Sequence, residues 1–266
     1  MQGIQQQNAN QNQYQNQNQN LIQTRNQDQS QSQSRNQNRI LLVIPAYNEA
    51  ESIVQVTEEL IHDYPELDYI IITDGSTDGT DQICRMHGYH AIHLPVNLGL
   101  AGCFQTGMKY AYQHGYGAAV QFDGDGQHRP EYISAMKEKL DEGYDIVLGS
   151  RFLCDGADMK LARALGSRLI RFAIRCTTGV AVTDPTCGLR MYSRRMIDSF
   201  ANKINYAPEP DTISFLIKNG ARVAEVPVRV AARTGGVSYL RPMNAARYML
   251  RMLTSILLIQ NFRTAQ

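Results

Sequence analysis

Between residues 40 and 148, short apolar runs rich in β-branched residues alternate with longer segments of helical periodicity. Five of the runs have the length of β-strands, at 40–44, 69–73, 91–94, 118–122 and 145–148. Strands that alternate with helices are typical of a mostly parallel sheet covered by helices, and runs that are apolar throughout are typical of its buried strands. The sequence therefore predicts an α/β fold that begins with a nucleotide-binding half.

Four of these runs lead into a cluster of polar residues. The clusters are at 45–49, 74–80, 97–99 and 123–127. In open α/β sheets, ligands bind beyond the carboxyl ends of the strands, where such clusters meet. Each cluster alone is compatible with ordinary turn chemistry, but four together predict a single crevice.

The fourth cluster places Asp123 and Asp125 on a glycine-rich turn directly after a buried run. Mg²⁺ and Mn²⁺ are held by one or two carboxylates, with phosphate oxygens and water as further ligands. We therefore predict a metal that carries a nucleotide diphosphate. A calcium loop would need Gly and Glu where His128 and Ser134 stand. A turn with solvated carboxylates is the other alternative.

Composition narrows the function classes. The net charge of +1 provides no overall positive potential that would attract nucleic acid. The sequence also contains no glycine-rich loop of the kind that binds a dinucleotide or ATP. Five cysteines without a CxxC pair indicate reduced thiols in a cytosolic protein, and no apolar run is long enough to span a bilayer. We predict a disordered Gln/Asn-rich tail at 1–38, a catalytic domain at 39–240 and an amphipathic C-terminal helix at 241–266.

Five segments in order resemble family 2 glycosyltransferases of the GT-A fold, and among them the dolichyl-phosphate and undecaprenyl-phosphate sugar synthases. The segments are 43–49, 74–80, 123–128, 149–151 and 184–190. The resemblance implies a nucleotide-sugar-binding fold with a mostly parallel central sheet flanked by helices. It also implies an inverting, metal-dependent transfer of a hexose or N-acetylhexosamine from a nucleotide diphosphate, with UDP favoured, to a polyprenyl phosphate.

The resemblance also implies roles for individual residues at the donor end. The nucleoside would be held by Pro45, Tyr47, Glu49 and Asp74, with Tyr47 near the base and Asp74 accepting from a ring N–H. Asp123, Asp125 and Gln127 would position Mg²⁺ or Mn²⁺ on the diphosphate. Arg233 would clamp the diphosphate from a mobile lid, although Tyr239 replaces a lysine that relatives often carry there. Glu209 lies where relatives place an acidic residue near the donor sugar.

The acceptor end is predicted from a basic segment. Between Arg151 and Arg195, nine Lys or Arg stand against three acidic residues, which favours an anionic partner. The resemblance implies that Arg151 and the pair Arg163 and Ser167, four residues apart, hold the acceptor phosphate. We expect an apolar stripe on the opposite face of the same helix to be buried: Leu161, Leu165, Leu169 and Phe172. A solvated basic face is the alternative.

The role of Asp184 distinguishes between the possible functions. A sugar hydroxyl needs a general base, whereas a phosphate is already anionic and needs alignment. Asp184 is therefore either a catalytic base, or a residue that orients Arg190 or the acceptor. The other candidate functions are transfer to a carbohydrate acceptor, with Asp184 as base, and non-catalytic binding of a nucleotide sugar.

The C-terminal residues 244–262 combine apolar side chains with Arg247 and Arg251. Such a composition suits an amphipathic helix at a membrane surface, or a helix packed on the domain. We predict a cytoplasmic protein, peripheral at the cytoplasmic face of the membrane, that reaches its lipid by surface binding or through a small membrane protein.

Overall fold

The computed structural model describes residues 38–154, 161–231 and 242–263. In these ranges one sheet has the strand order β3-β2-β1-β4-β6-β5-β7. Its strands are β1 (Ile40–Ala46), β2 (Asp68–Asp74), β3 (Ala91–Leu94), β4 (Ala118–Gln121), β5 (Ile146–Ser150), β6 (Arg190–Ser193) and β7 (Val223–Pro227). The tail predicted at 1–38 lies almost wholly outside the described residues.

Helices cover both faces of the sheet. They are α1 (Ile53–Asp63), α2 (Thr80–Met86), α3 (Gly99–Gln113), α4 (Ile133–Asp141), α5 (Leu161–Thr178), α6 (Arg194–Asn202), α7 (Pro210–Lys218) and α8 (Pro242–Leu257). Single 3₁₀ turns precede α4 (Pro130–Tyr132), follow β5 (Arg151–Leu153) and follow α8 (Ile259–Phe262). Pro210 begins α7 at a position where the missing N–H costs nothing. In the described ranges no helix is long and apolar enough to cross a membrane.

The pairing of the strands confirms the predicted mostly parallel sheet. β1 pairs in parallel with β2 and β4, β2 with β3, and β5 with β7. The exception is β6, which runs antiparallel between β4 and β5. Arg190 at the start of β6 lies opposite Gln121 at the end of β4. The segment that leads into β6 therefore reaches the same edge of the sheet as the ends of β1, β2, β4 and β5.

Both faces of the sheet are buried, which explains why the strands are apolar throughout. Along β1, Leu41 and Val43 belong to one core cluster and Leu42 and Ile44 to the other. Helix α3 packs closely on the first face, because a Cβ on Gly107 would lie 2.2 Å from a methyl group of Val43. Only glycine allows this approach of helix and strand.

The expectation for helix α5 is wrong in its burial. Leu169 and Phe172, expected in the interior, are 47% and 68% exposed. The buried face instead carries Ser167, Ile170, Ala173 and Ile174. The reason is the partner helix: a Cβ on Gly166 would lie 2.5 Å from Cε of Met249 on α8, so the side of α5 that carries Gly166 packs there. The other two residues of the predicted stripe, Leu161 and Leu165, lie where only the helix backbone is described.

Candidate active site

Hydrogen bonds connect the loop after β1 to the loop after β2. Asn48 has a positive φ of 56°, a region that Asn tolerates better than most residues. Its Oδ1 accepts from the backbone N–H of Thr77 at 2.8 Å, and its own N–H donates to Oγ of Ser76 at 3.2 Å. The backbone N–H of Ala50 donates to Asp78 at 3.0 Å. These bonds fix the wall of the crevice that carries the predicted nucleoside contacts.

The predicted nucleoside residues on the first loop differ in exposure. Pro45 lies within β1 and is paired with Ile72. Tyr47 is 48% exposed, which leaves its ring accessible for stacking. Glu49 accepts a hydrogen bond from Oγ of Ser52 at 2.9 Å, just before α1 begins. Of the three residues, Tyr47 has the accessible ring that stacking on a base would need, and its role stays a prediction.

Asp74 is only 3% exposed and orders the third loop. Its Oδ1 accepts from the backbone N–H of Leu98 at 2.6 Å, and its Oδ2 from that of Gly99 at 2.8 Å. These bonds fix the start of α3. Each carboxylate oxygen has a second lone pair, so the predicted contact with a ring N–H of the base stays a prediction.

The acidic turn holds its two carboxylates differently. Asp125 is buried, and its Oδ1 accepts from the backbone N–H of Gln127 at 3.0 Å. The side chain of Asp123 is 36% exposed, and its Oδ2 lies 3.2 Å from Nε2 of the buried His128. Burial alone would raise the pKa of Asp123, but the hydrogen bond and charge of His128, with the charge of Arg190, hold that pKa below its usual range. Asp123 is therefore an ionised carboxylate near neutral pH.

The space around Asp123 is kept open by Gly188. A Cβ at this position would lie 2.4 Å from Oδ2 of Asp123 and 3.0 Å from Nε2 of His128. The carboxylate therefore sits in a cradle that any other residue would fill. Asp123 and Asp125 offer hard oxygen ligands, which suit Mg²⁺ or Mn²⁺ when phosphate oxygens and water complete the shell. Within the described ranges, no three Asp, Glu, His or Cys side chains converge to hold a metal by themselves.

Gln127 connects the acidic turn to a later part of the chain. Its backbone carbonyl accepts from the N–H of Ala231 at 2.9 Å, and its Nε2 donates to the carbonyl of Ala231 at 3.4 Å. Ala231 is the last described residue before the gap at 232–241. Arg233, the predicted clamp, lies in that gap, outside the described residues. The chain therefore leaves the acidic turn two residues before Arg233.

Asp184 and Arg151 form a fully engaged ion pair. Nε and Nη2 of Arg151 donate to the two oxygens of Asp184 at 2.7 Å and 2.9 Å, and the backbone N–H of Arg151 donates as well. The hydroxyl of Thr186 adds a bond at 2.9 Å. Asp184 is fully buried, whereas the side chain of Arg151 is 26% exposed. Asp184 thus has the geometry of a residue that orients an arginine.

The segment around Asp184 is fixed by a residue that the sequence analysis did not single out. The carboxylate of Glu225 on β7 accepts from the backbone N–H groups of Thr183 and Asp184, at 2.7 Å and 2.8 Å. The predicted alternative partner of Asp184, Arg190, bonds to the carbonyls of Pro185, Cys187 and Pro208 instead. No motif marks Glu225, because its role arises only when β7 pairs with β5.

Of the phosphate pair predicted on α5, the structure describes the side chain of Ser167 alone. Ser167 is 1% exposed, and its Oγ is buried without a hydrogen-bond partner in the described part of the chain. The side chain of Arg163 lies outside the described residues. The structure therefore joins Arg151 to Asp184 and to the sheet edge of Asp123 and Asp125, but it places Ser167 in the interior.

His128 makes a contact that the sequence analysis did not predict. It is 8% exposed, and its Nε2 lies 3.2 Å from Oδ2 of Asp123. Its place at the end of the segment 123–128 was the available signal. Metal-binding carboxylates are commonly oriented by such a neighbouring hydrogen bond.

Sequence comparisons identify a family and several relatives of this chain. The profile of a family described as Glycosyl transferase family 2 matches residues 41–200. A polyprenol monophosphomannose synthase of Mycolicibacterium smegmatis is 29% identical over 80% of this chain and 85% of its own. A UDP-N-acetylglucosamine–dolichyl-phosphate N-acetylglucosaminyltransferase of Methanococcus voltae is 30% identical over 71% of this chain and 84% of its own.

A comparison of structures shows the same fold in a solved enzyme. Glucosyl-3-phosphoglycerate synthase from Mycobacterium tuberculosis, in complex with Mn²⁺, UDP-glucose and phosphoglyceric acid, superposes with a TM-score of 0.63. The match covers 85% of this chain and 81% of that one, at 20% sequence identity. At this identity the likeness concerns the fold, and it confirms the predicted GT-A architecture.

Proposed function

Because this chain belongs to glycosyl transferase family 2, we propose that it transfers a sugar from a nucleotide diphosphate donor to a polyprenyl phosphate. The relatives named above are polyprenyl-phosphate sugar transferases, which supports the lipid acceptor. A UDP-sugar is the favoured donor, as in the name of the archaeal relative. The proposed transfer is metal-dependent and inverts the anomeric centre by in-line attack of the phosphate oxygen.

The observation that carries this proposal is the state of Arg151. Asp184 and Thr186 occupy Nε and Nη2 of Arg151, and among the described residues nothing accepts from Nη1. The result is a preoriented guanidinium at the end of β5, on the sheet edge that also carries Asp123 and Asp125. A guanidinium held in this way suits a phosphate oxygen, because its N–H donors are fixed in direction.

The same pair favours a phosphate acceptor over a carbohydrate acceptor. A hydroxyl nucleophile needs a base with an accessible lone pair. Asp184 is fully buried and already accepts four hydrogen bonds, from Arg151 and Thr186. A phosphate monoester needs no such base, so the paired state of Asp184 is compatible with its role in alignment.

The donor end uses the acidic turn. When bound, Mg²⁺ or Mn²⁺ would neutralise the charge that develops on the leaving nucleotide diphosphate. Asp123 and Asp125 would hold it, while His128 keeps Asp123 ionised and fixed in direction. Tyr47 would stack on the base from the exposed side of the first loop.

We also propose that the chain binds a membrane surface through α5 and the C-terminal residues 242–263. Exposed apolar side chains include Leu169 and Phe172 on α5, Leu250 on α8, and Leu258 and Phe262 after α8. Arg171 lies over the ring of Phe152 at 4.6 Å, and the exposed Arg168 lies on the same helix. Apolar side chains beside arginines match the interface of a bilayer with anionic lipids.

The test is direct transfer to a lipid. Purified protein would be incubated with radiolabelled UDP- and GDP-sugars, Mg²⁺ or Mn²⁺, and undecaprenyl or dolichyl phosphate, and then extracted into organic solvent. We expect label in the organic phase with one class of donor, and none with the Asp125→Asn variant. Label that appears only in added glycans would support the carbohydrate alternative, and donor binding without turnover would support the non-catalytic one.

A further inference from the structure

The C-terminal segment, residues 242–263, contacts a loop of the catalytic domain through three side chains. Nη2 of Arg251 donates to Oε2 of Glu209 at 2.7 Å. Oγ of Ser255 donates to Oδ2 of Asp211 at 2.6 Å, and Nη2 of Arg263 donates to the same oxygen at 2.9 Å. Both acidic residues lie at the start of α7. The segment is therefore hydrogen-bonded to the loop that leads into α7, and it is also packed on the core.

The loop that carries Glu209 borders the donor site. Nη1 of Arg190 donates to the carbonyl of Pro208, one residue before Glu209. The segment that ends at Arg190 also contains Gly188, where an added Cβ would lie 2.4 Å from Oδ2 of Asp123. Arg190 therefore links the loop of Glu209 to the acidic turn, and a sugar on a diphosphate bound at that turn would lie near this loop.

The two acidic residues of the loop differ in what they can do. Asp211 is buried, and it is held by Ser255, Arg263 and the backbone N–H of Thr212. Its role is to anchor the loop. The side chain of Glu209 is 19% exposed and bonds to Arg251 through Oε2. Its other oxygen can accept hydrogen bonds from a polyol.

The charge state of Glu209 depends on Arg251. The pKa of Glu209 lies above its usual value, mainly because the side chain is largely buried and in part because of the charge of Asp211, whereas Arg251 and Arg190 oppose this rise. Tyr248 on α8 also faces Glu209, but burial raises the pKa of its hydroxyl, so it is neutral near pH 7. Arg251 is therefore the cation of α8 that favours the ionised form of Glu209 and fixes its direction.

We propose that Arg251 is a positioning residue for the donor sugar and acts through Glu209. The proposal rests on the proposed function, since it assumes a nucleotide sugar at the acidic turn. It makes the C-terminal segment part of the donor site. The simpler alternative is a surface ion pair with no functional effect, because the side chain of Arg251 is 65% exposed and such pairs contribute little.

The test compares Arg251→Met, which removes the charge but keeps a long side chain, with Arg251→Lys. Lys203→Met is the matched control, because it breaks an exposed ion pair with Asp198 on α6. We expect Arg251→Met to raise the KM for the donor about tenfold, as for loss of a charged hydrogen bond. Arg251→Lys should restore most of it, and Lys203→Met should match the wild type.

The pH profile gives a second readout. Glu209 acts ionised, so activity is lost as the pH falls through its pKa. Without Arg251 this pKa rises further, and the acid limb of kcat/KM should move to higher pH. Glu209→Gln should raise the KM similarly, and the double variant should be no worse than either single one, since the two residues act as a unit.

Binding separates this proposal from the proposed function. With Mn²⁺ present, Arg251→Met should weaken binding of the UDP-sugar but leave binding of UDP unchanged, whether or not transfer to lipid is observed. Equal losses for both ligands would overturn the proposal, because Arg251 would then act on the nucleotide. A lower Tm with unchanged donor affinity and pH profile would also overturn it, since Arg251 would then only stabilise the fold.

Discussion

Two acidic loops meet at one edge of the sheet, and they differ in how completely their carboxylates are paired. Asp184 is fully buried, and both of its oxygens are taken by Arg151. The side chain of Asp123 is 36% exposed, and in the described ranges it forms an ion pair with His128. A carboxylate that orients another residue has its lone pairs occupied, whereas one that receives a ligand keeps them accessible.

This difference assigns separate tasks to the two loops. In the proposed function, the turn with Asp123 and Asp125 binds the metal and the diphosphate, and Gly188 adds no side chain beside Asp123. The loop with Asp184 presents the guanidinium of Arg151 at the same edge, and Asp184 itself does not face a ligand. Substitutions of the two aspartates should therefore have different signatures in activity and stability.

The largest effect is expected for Asp125→Asn. Loss of one metal ligand should lower kcat by about 100-fold or more, because the metal supplies several kcal/mol of charge stabilisation. Stability should change by less than about 1 kcal/mol, since Asn can still accept from the N–H of Gln127. Steady-state rates and a urea titration measure both quantities. Full activity in EDTA would contradict the role of the open loop.

The opposite signature is expected for Asp184→Asn. The change leaves the partly buried Arg151 without its counter-charge, which should cost about 3 kcal/mol of unfolding free energy. Activity should fall mainly through a higher KM for the acceptor. Thr186→Val is the matched control, since it removes the hydroxyl that bonds to Asp184 and Arg151 but keeps both charges, and it should cost about 1 kcal/mol.

The same experiment can refute the proposed role of Asp184 as a residue that orients Arg151. If Asp184→Asn abolished kcat while the urea midpoint and the acceptor KM stayed unchanged, Asp184 would be a base. The comparison between the two loops would then fail, and the carbohydrate acceptor would be preferred.

Local features of the sequence were enough for the fold class and for five of the seven strands, which were predicted from apolar runs. The roles predicted for the acidic turn, Arg151 and Asp184 came from short segments that resemble a family, and these roles stay predictions. The antiparallel position of β6 between β4 and β5 was not predicted, because strand order depends on contacts distant in sequence. For the same reason Asp184 could not be assigned to Arg151 before the structure placed both at one edge.

Helix α5 shows the limit most clearly. A stripe of large apolar residues is normally the buried face of a helix, so Leu169 and Phe172 were expected inside. Both are exposed, because α8 packs on the small residue Gly166 and its neighbours instead. Sequence periodicity alone does not show which helix face a partner segment will cover.

A smaller effect is expected for Arg163→Ala, which tests whether α5 contributes to the loop of Arg151. If Arg163 contacts the acceptor phosphate, the change should lower kcat/KM for the acceptor by about 2 kcal/mol and leave donor affinity unchanged. Arg163→Lys should recover only part, because lysine lacks the guanidinium fork. Weaker donor binding with an unchanged acceptor KM would indicate that α5 contributes to donor binding and not to acceptor binding.

The smallest effect is expected for His128→Gln, which changes the orientation of Asp123 but removes no carboxylate. Hydrogen-bond partners of metal ligands typically contribute 10- to 100-fold in metal affinity, so the Mn²⁺ concentration for half-maximal activity should rise about tenfold. At saturating Mn²⁺ kcat should return close to the wild-type value, because both carboxylates are still present. Asp125→Asn should show no such recovery. If excess Mn²⁺ did not restore the kcat of His128→Gln, His128 would have a role beyond orienting Asp123. The acidic turn would then need more than its two carboxylates for activity.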